Sequence, residues 1–517
     1  MDVRQLIGLL GVLIAAMTSE FNDQVTSIAL RDVQGGLAIS HDPGTWIQSL
    51  YISAEIVGMA VSPWLLVTFT LRRWTLFSIA LCGASTFLIP FSPDIEAVYT
   101  LRILQGFSGG LIIPLLMTTA LRALPPAIRI YGLAVYCLTA SFTPALAATL
   151  AALWTDILRD WRFVFFQAVP LCAVAAALVW YGDPQDAPDY ERFRILDWRG
   201  VILVVVGFGA FSTMLFHGDR LDWFNSHLIC VLALVSAVAL PLLLVNEWFH
   251  PLPLLKLQLL GRPNMAYGFI ALFTFLLIAL SSSTVPLRIL QEVQGYRPLQ
   301  SHLITLEIAA AQLVLLPAAA FLLDFRHVDA RVTSFIGLAL ILAACIGSAR
   351  VDYTWTRDQF YPWQALQALG QPLVVVSLLL MATNSVKGPD EAPFASALVN
   401  TPRAVSEAVG TWMLQLIDRW RGGLHSDRLI DQIGQNRFRV IAGNGGAGQL
   451  PTALLPNGQP RAPGSLDALS GAVRQQVTIL SAGDTYLTLA GLTAFLMLVV
   501  VLLPERTLPP RIQLAQS

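Results

Sequence analysis

Two stretches that echo each other at three positions bear on the fold, FTPALAATLAALW at residues 142–154 and NTPRAVSEAVGTW at residues 400–412. The Thr-Pro pair and the closing Trp coincide at a single offset of 258 residues. Further upstream, the Leu-Gln pairs of RILQGFSGG (102–110) and QALQALGQP (364–372) align at an offset of 262 residues. Duplicated helical bundles are common in transporters. We therefore expect two related bundles, with a cavity between them that opens alternately to either side.

The composition indicates a protein that crosses a membrane many times. The 517 residues are 55% hydrophobic and 13% charged, and the mean hydropathy is +0.64, well outside the range of soluble globular proteins. The net charge of -1 and the scattered basic residues exclude a nucleic-acid partner. The five cysteines lie in apolar runs and the seven histidines lack metal-ligand spacing. We therefore expect no metal, no cofactor and no enzyme activity.

Windows of roughly 20 apolar residues divide the chain into membrane spans. The first lacks a small-residue cleavage site and is expected to be an uncleaved span. If spans 1–6 are echoed by spans 9–14, the domains are 1–181, an inserted pair in 182–263, and 264–517, with a long external loop at 419–483. The fourteen candidate spans are 6–30, 45–69, 74–92, 97–121, 130–153, 163–181, 199–217, 227–247, 264–288, 300–323, 331–349, 364–386, 396–418 and 484–504.

The distribution of Lys and Arg over the short loops predicts the orientation. Loops on the side of the N-terminus hold fifteen of these residues and the opposite short loops hold eight. Both termini are therefore expected to be cytoplasmic.

Several motifs, in order along the chain, resemble those of one transporter family. RILQG at 102–106 looks like an RxxQG motif, WRFVFF at 161–166 followed by Pro170 looks like WxxxF...P, and LQEVQGY at 290–296 resembles an LQEVxGY segment. Asn400 and Arg403 resemble an NxxR pair in the thirteenth span. Together they resemble the major facilitator superfamily, in its fourteen-span drug:proton antiporter branch typified by EmrB- and QacA-like multidrug exporters.

This resemblance implies a function and a setting. It implies an exporter of small molecules driven by proton entry, in a bacterial inner membrane, that hands its substrate to a periplasmic membrane-fusion adaptor and an outer-membrane channel. Two motifs depart from the family pattern. The loop between spans 2 and 3 keeps only its terminal basic pair, and the antiporter motif of span 5 keeps Pro144, with Ala147 and Ala148 in place of its final glycines. Alanine still allows helices to approach closely.

Ionisable residues inside spans cost roughly 2.5–3.5 kcal/mol each on insertion scales, so they usually have a partner or a function. Such carboxyls can bind and release a proton. The alternatives are that Glu20 and Asp23 are solvated at a span edge, that Glu55 and Glu307 only pair with polar neighbours, and that Arg102 snorkels. The proton-coupling candidates are Glu20, Asp23, Glu55, Arg102 and Glu307.

Two further sets of residues are expected to line the cavity or to allow its movement. Arg403 and Glu407, at i and i+4, could instead neutralise each other on one helix. The conformational candidates are Gln105, Gly106, Pro144, Ala147, Ala148 and Pro402. The cavity candidates are Phe21, Asn22, Tyr51, Asn400, Arg403 and Glu407, with Trp412 as a further aromatic wall residue.

The function expected from these observations is export of hydrophobic or amphipathic small molecules by proton antiport. No Walker GxxxxGK[ST] segment is present in the sequence, which argues against ATP drive. One alternative is a dedicated exporter of a metabolite or siderophore, suggested by the altered motifs. Another is a membrane sensor or scaffold that transports nothing.

Overall fold

A computed structural model describes residues 3–125, 128–185, 188–325, 327–386, 388, 391–435 and 465–503. These residues form helices and connecting turns, with no strand among them. We number the long helices α1 to α14, and each coincides with one of the predicted spans. They are Val3–Ile28, His41–Phe69, Leu71–Leu88, Ile95–Ala123, Arg129–Ala152, Ala168–Gly182, Trp198–His217, His227–Phe249, Pro263–Ala279, Leu303–Leu323, Ala330–Ser348, Arg357–Thr383, Ala392–Ile417 and Ser465–Leu502.

Thirteen of these fourteen described helices belong to stretches long and apolar enough to cross a membrane. For α6 and α9 the stretch includes the short helix beside it, Phe163–Phe166 and Thr284–Glu292 respectively. The exception is α13, which carries the second copy of the repeated stretch. Its 26 residues are long enough, but it includes Asn400, Arg403 and Glu407. Its first half is buried among other helices, so its polar side chains face protein rather than lipid.

The helices form two six-helix bundles with an inserted pair. In the first bundle α1 packs on α4, α5 and α6, and α2 and α3 pack on α4. In the second, α9 packs on α12, α13 and α14, and α11 packs on α12 and α14. The bundles meet through α5 against α10 and through α2 and α4 against α13. Of the inserted pair, α7 contacts α2 and α13, and α8 packs on α7. The exact domain boundaries stay a prediction.

Fourteen single crossings would place the start of α1 and the end of α14 on the same side of the membrane. We call this the terminal side and the opposite one the far side. By this assignment the loops α1–α2, α3–α4, α5–α6, α7–α8, α9–α10, α11–α12 and α13–α14 lie on the far side.

Helices α2 and α4 touch through their backbones. A Cβ added to Gly106 would lie 2.2 Å from the carbonyl oxygen of Tyr51, and one added to Gly110 would lie 2.1 Å from that of Glu55. On the opposing helix, a Cβ on Gly58 would lie 2.4 Å from the carbonyl oxygen of Phe107. The glycines of RILQGFSGG are therefore required by this close approach.

The predicted ninth span, 264–288, is interrupted in the structure. The helix ends at Ala279, and a separate helix, Thr284–Glu292, follows a four-residue turn. Ser281 and Ser282 donate hydrogen bonds to the carbonyl oxygens of Ile278 and Ala279, at 2.7 and 2.8 Å. Serine hydroxyls that bond to the backbone in this way compete with the helix.

The structure also moves the ends of two predicted spans. The twelfth begins at Arg357, where Thr356 and Gln359 form a capping box. The fourteenth belongs to a 38-residue helix that begins at Ser465. The predicted external loop 419–483 therefore includes the first turns of α14, and Gly423–Gln435 is a further helix within it. Residues 436–464 of that loop lie outside the described residues.

Candidate functional site

A cluster of charged and polar side chains lies between the two bundles, midway along the helices. It combines carboxyls of α1, α2 and α13 with one arginine from each bundle. The cluster consists of Glu20, Asp23, Glu55 and Glu407 with Arg102 and Arg403, and all but Glu407 are at most 3% exposed. Burial of this kind excludes the alternative in which the acids of α1 are solvated at a span edge.

The first interaction in the cluster joins the two bundles. Arg403 of α13 donates from Nη2 to Oε1 of Glu20 on α1. It also donates to the hydroxyl and the carbonyl oxygen of Thr139 on α5, at 3.0 and 2.9 Å. Arg403 is therefore paired with the opposite bundle, and no ion pair with Glu407 occurs among the described residues. The alternative in which Arg403 and Glu407 neutralise each other on one helix therefore does not hold in this structure.

The second interaction lies within the first bundle and runs through a glutamine. Gln48 of α2 donates from Nε2 to Asp23 Oδ1 and accepts from Arg102 Nη2 at 3.3 Å. Gln24 donates to the other oxygen of Asp23 at 2.8 Å. Arg102 thus reaches the acid of α1 through the amide of Gln48 rather than directly.

Arg102 is held on every side and does not snorkel. It donates to Gln105 Oε1 at 2.6 Å and to the carbonyl oxygen of Ile47 at 3.1 Å. Its guanidinium carbon lies 4.3 Å from the centre of the Tyr51 ring, a cation–π distance. Gln105 in turn donates to Thr86 at 2.8 Å. The RxxQ pair therefore ties α4 to α1, α2 and α3.

Two carboxyls of the cluster each have one oxygen without a hydrogen-bond partner among the described residues. Oε2 of Glu55 and Oε2 of Glu407 are buried and accept no hydrogen bond from the described residues. Each carboxyl lies within electrostatic range of Glu20, Asp23 and Arg403. A buried acceptor without a donor is costly, so these oxygens mark the places where a proton or a ligand would be stabilised most.

A neutral contact between the bundles lies next to the charged one. Tyr136 of α5 donates its hydroxyl to Oδ1 of Asn400. Asn400 donates to the carbonyl oxygen of Ser396 at 2.7 Å, and the Ser396 hydroxyl donates to the carbonyl oxygen of Pro114 in α4 at 2.8 Å. The NxxR pair of α13 therefore bonds to the first bundle at both positions.

Of the conformational candidates, the structure places the small residues where α1 and α5 pack. Ala147 is buried in one apolar cluster with Phe21 and Val25, and Ala148 is 2% exposed. Phe21 therefore packs against α5 instead of facing the charged cluster. Pro144 and Pro402 lie inside continuous helices.

Three candidates lie apart from the charged cluster or at its margin. Glu307 of α10 is half-buried, with an Oε2 that has no partner among the described residues. Asn22 is buried beside the cluster and donates to Cys82 Sγ at 3.4 Å. Trp412 lies toward the far side, where its ring packs edge-on against Trp223 at 6.4 Å between centroids.

Sequence reasoning missed Gln48, Tyr136 and Thr139. A signal for Gln48 was available, because it lies seven residues before Glu55 in an apolar span and so shares its helical face. Thr139 stands at the first glycine position of the antiporter motif, which is a weak signal. Tyr136 has no comparable signal, since its partner comes from a helix more than 250 residues away.

Ion pairs close the far side over this cluster. Arg297, after α9, pairs with Asp156, after α5, at 2.5 Å, and the Leu299 amide donates to the same carboxyl at 2.7 Å. Arg419 pairs with Asp219 and Asp222 of the inserted pair. The hydrogen bond from Arg419 lowers the pKa of Asp222 below its ordinary value.

Comparison with known proteins supports the fold and the family. The sequence profile of the Major Facilitator Superfamily matches residues 12–411. The fatty acid resistance protein FarB of Neisseria gonorrhoeae is 25% identical over 499 residues, covering 94% of this chain and 93% of that protein. The multidrug export protein EmrB of Escherichia coli K12 is 25% identical over 499 residues, covering 94% and 92%.

A solved structure shares the architecture at lower sequence identity. It is a POT family transporter in complex with 5-aminolevulinic acid, with a TM-score of 0.58 and 13% identity, and the match covers 96% of this chain and 95% of that one. Helix packing, the duplicated stretch and the sequence profile agree, and the chain is a multi-pass membrane protein that belongs to the Major Facilitator Superfamily.

Proposed function

We propose that the chain exports hydrophobic or amphipathic small molecules in exchange for protons. The observation that carries the proposal is the buried ion pair between Glu20 and Arg403, which joins the two bundles in the middle of the membrane. The names of its relatives, a multidrug export protein and a fatty acid resistance protein, support export and an apolar class of substrate.

The charge balance of the cluster supports coupling to protons. Four carboxyls lie beside two guanidinium groups, so full ionisation would leave two uncompensated negative charges in a region closed to water. An uncompensated buried charge costs several kcal/mol. The cluster therefore favours the uptake of protons, or of a positively charged group that replaces them.

The two networks suggest different roles in the cycle. Glu20 bonds across the bundle interface, so its protonation would weaken the attraction that holds α1 against α13. Asp23, Gln48 and Arg102 bond to one another within the first bundle, and the Asp23 carboxyl also contacts that of Glu407 on α13. Asp23 can therefore exchange a proton while the pair between Glu20 and Arg403 stays closed. In this mechanism Asp23 loads the proton, and its transfer to Glu20 releases Arg403 and lets the bundles rock.

The orientation and the partners complete the proposal. We place the chain in a bacterial inner membrane with both termini cytoplasmic, so that the far side faces the periplasm. The helix Gly423–Gln435 on that side offers a surface for a membrane-fusion adaptor and, through it, an outer-membrane channel. Mild crosslinking and co-purification of the full chain test the assembly, and recovery of the chain without any adaptor would count against it.

Efflux in inverted vesicles tests the function directly. Accumulation of a fluorescent amphipathic dye should follow an imposed pH gradient and stop when a protonophore collapses it. Glu20→Gln should abolish this dependence, whereas Glu307→Gln, the same change in a residue outside the cluster, should preserve it. Dye transport that continues after the gradient is collapsed would refute proton exchange, and transport of no amphipathic compound would refute export.

A further inference from the structure

Two adjacent arginines, Arg72 and Arg73, lie at the terminal-side membrane surface, apart from the charged cluster. They form the first turn of α3, directly after the turn at Thr70 that ends α2. That first turn contains no acidic residue, and no side chain caps the helix. The helix dipole adds positive potential at this end. Two guanidinium groups are therefore placed where a positive charge is least stable, unless an anion is bound.

The contacts that the structure gives this pair are aromatic or neutral. The guanidinium carbon of Arg72 lies 4.6 Å from the centre of the Trp180 ring, near the end of α6. Arg73 donates from Nη1 to the hydroxyl of Tyr190, in the linker between α6 and α7, at 3.5 Å. The buried carboxyl of Asp183 lies within electrostatic range of Arg72. Its single charge cannot balance two guanidinium groups.

Other arginines near the membrane surfaces are neutralised by acids. The pairs are Arg262 with Glu391 and Arg331 with Asp329 on the terminal side, and Arg288 with Asp418 and Arg297 with Asp156 on the far side. Arg72 and Arg73 make no such pair with any carboxylate in the described part of the chain. Their charge is therefore available to a ligand.

The pair can be reached from the bilayer. Arg73 is exposed and Arg72 is half-buried, and the aromatic partners Trp180 and Tyr190 are 66% and 52% exposed. One turn further along α3, Phe77 is 51% exposed. Aromatic side chains at this level lie among lipid head groups, and the surface below them meets acyl chains. A phospholipid can thus place its phosphate against the guanidinium groups and a chain against Phe77 at the same time.

We infer that Arg72 and Arg73, flanked by Trp180 and Tyr190, bind the phosphate of an anionic phospholipid in the terminal-side leaflet. Guanidinium groups bind phosphate through two parallel N–H···O bonds. The excess of positive charge repels the ammonium of a zwitterionic head group, so it favours a head group whose only charge is the phosphate, as in phosphatidylglycerol. The bound lipid joins the start of α3 to the end of α6 and to the linker that leads to the inserted pair. The inference does not depend on the proposed export function.

Native mass spectrometry of the full-length chain tests the binding. The chain, purified in detergent, is titrated with dioleoyl phosphatidylglycerol, with dioleoyl phosphatidylcholine or with inorganic phosphate alone. Wild type should bind phosphatidylglycerol most tightly. Arg72→Gln and Arg73→Gln should each weaken this binding about fivefold, the effect of one basic residue near an anionic membrane surface. Arg350→Gln, the same change at an exposed arginine on the far side, is the matched control and should change nothing.

A change of the opposite sign checks the electrostatic origin. Asp183→Asn removes the carboxyl near Arg72 and should strengthen the binding of phosphatidylglycerol. Arg73→Lys keeps the charge and should weaken binding less than Arg73→Gln does. Thermal unfolding of wild type needs no variant, since phosphatidylglycerol should raise Tm more than phosphatidylcholine if it binds the folded chain more tightly.

Three results would overturn the inference. The first is equal affinity of wild type for the two lipids, and the second is unchanged affinity when both arginines are replaced. The third is binding of inorganic phosphate as tight as that of phosphatidylglycerol, which would assign the arginines to a soluble anion. An equal loss in Arg350→Gln would also count against a site, because it would show a diffuse attraction of the lipid to the whole protein surface.

Discussion

The ion pair between Glu20 and Arg403 yields the most demanding prediction. Glu20→Gln keeps the shape and an acceptor oxygen but removes the negative charge that touches Arg403. The guanidinium then keeps a neutral amide, the two oxygens of Thr139 and the Tyr136 side chain as direct partners, with Glu407 only within electrostatic range. Removing one member of a buried pair typically costs about 3–5 kcal/mol, and the retained acceptor places the expected loss at the lower end. A loss of about 3 kcal/mol shifts the equilibrium between joined and parted bundles by about a hundredfold.

Distance measurements between the bundles can detect a shift of this size. Spin labels at Pro93→Cys and Tyr353→Cys report the separation of the far-side loops of the two bundles, in a background where the exposed Cys230 is replaced by Ser. Glu20→Gln should move the distance distribution from one dominant peak toward a second one. Glu307→Gln, the control outside the cluster, should leave it unchanged.

A double-mutant cycle decides whether the pair itself is responsible. Combined with Arg403→Gln, Glu20→Gln should cost much less than the sum of the two single changes, because neither charge is then left alone. If the two effects add to within about 0.5 kcal/mol, the residues are not energetically coupled. The bundles would then be held together by something other than this pair.

Three further predictions concern packing, closure and pH. Gly106→Ala should lower the apparent stability in detergent by about 1–3 kcal/mol through overpacking, and Gly209→Ala, where a Cβ meets open space, should not. Asp156→Asn should weaken far-side closure by about 1 kcal/mol, because Arg297 is largely exposed, and should speed far-side labelling; an unchanged rate would contradict this. Burial raises the pKa of Asp183 to about 6, so its stabilising contribution is complete below about pH 4 and is lost as the pH rises through 6. Asp183→Asn should therefore flatten the fall in Tm between about pH 4 and pH 7, and equal slopes would refute it.

The helices could be predicted because hydropathy alone identifies most of them. Even α13, which carries Asn400, Arg403 and Glu407, was included among the candidate spans, at 396–418. The interruption after Ala279 was missed, although the run of three serines and a threonine at 281–284 favours a break. A hydropathy window of roughly 20 residues averages these four polar residues with many apolar ones. Its mean therefore stays apolar and does not reveal the break.

The site was predictable in its residue types but not in its pairings. The sequence indicated that Glu20, Asp23, Arg102 and Arg403 lie inside spans, and the structure buries all four; their part in proton coupling stays a prediction. The sequence could not indicate that Arg403 bonds to a residue 383 positions away, since which helices of the two bundles face each other is a tertiary property. Gln48 could have been noted as a polar residue on the helical face of Glu55, but not as the bridge between Asp23 and Arg102.

The backbone contact between α2 and α4 has a consequence for how the transporter can move. At Gly58, Gly106 and Gly110 the two backbones are in direct contact, so no layer of side chains can re-pack there, and we expect Glu55 on α2 and Arg102 on α4 to keep their separation when the bundles move. The electrostatic energy between Glu55 and Arg102 then stays the same in all states of the transporter. The electrostatic energy that changes during transport then comes from charged groups that move relative to α2 and α4. These are Glu20 on α1 and Arg403 on α13.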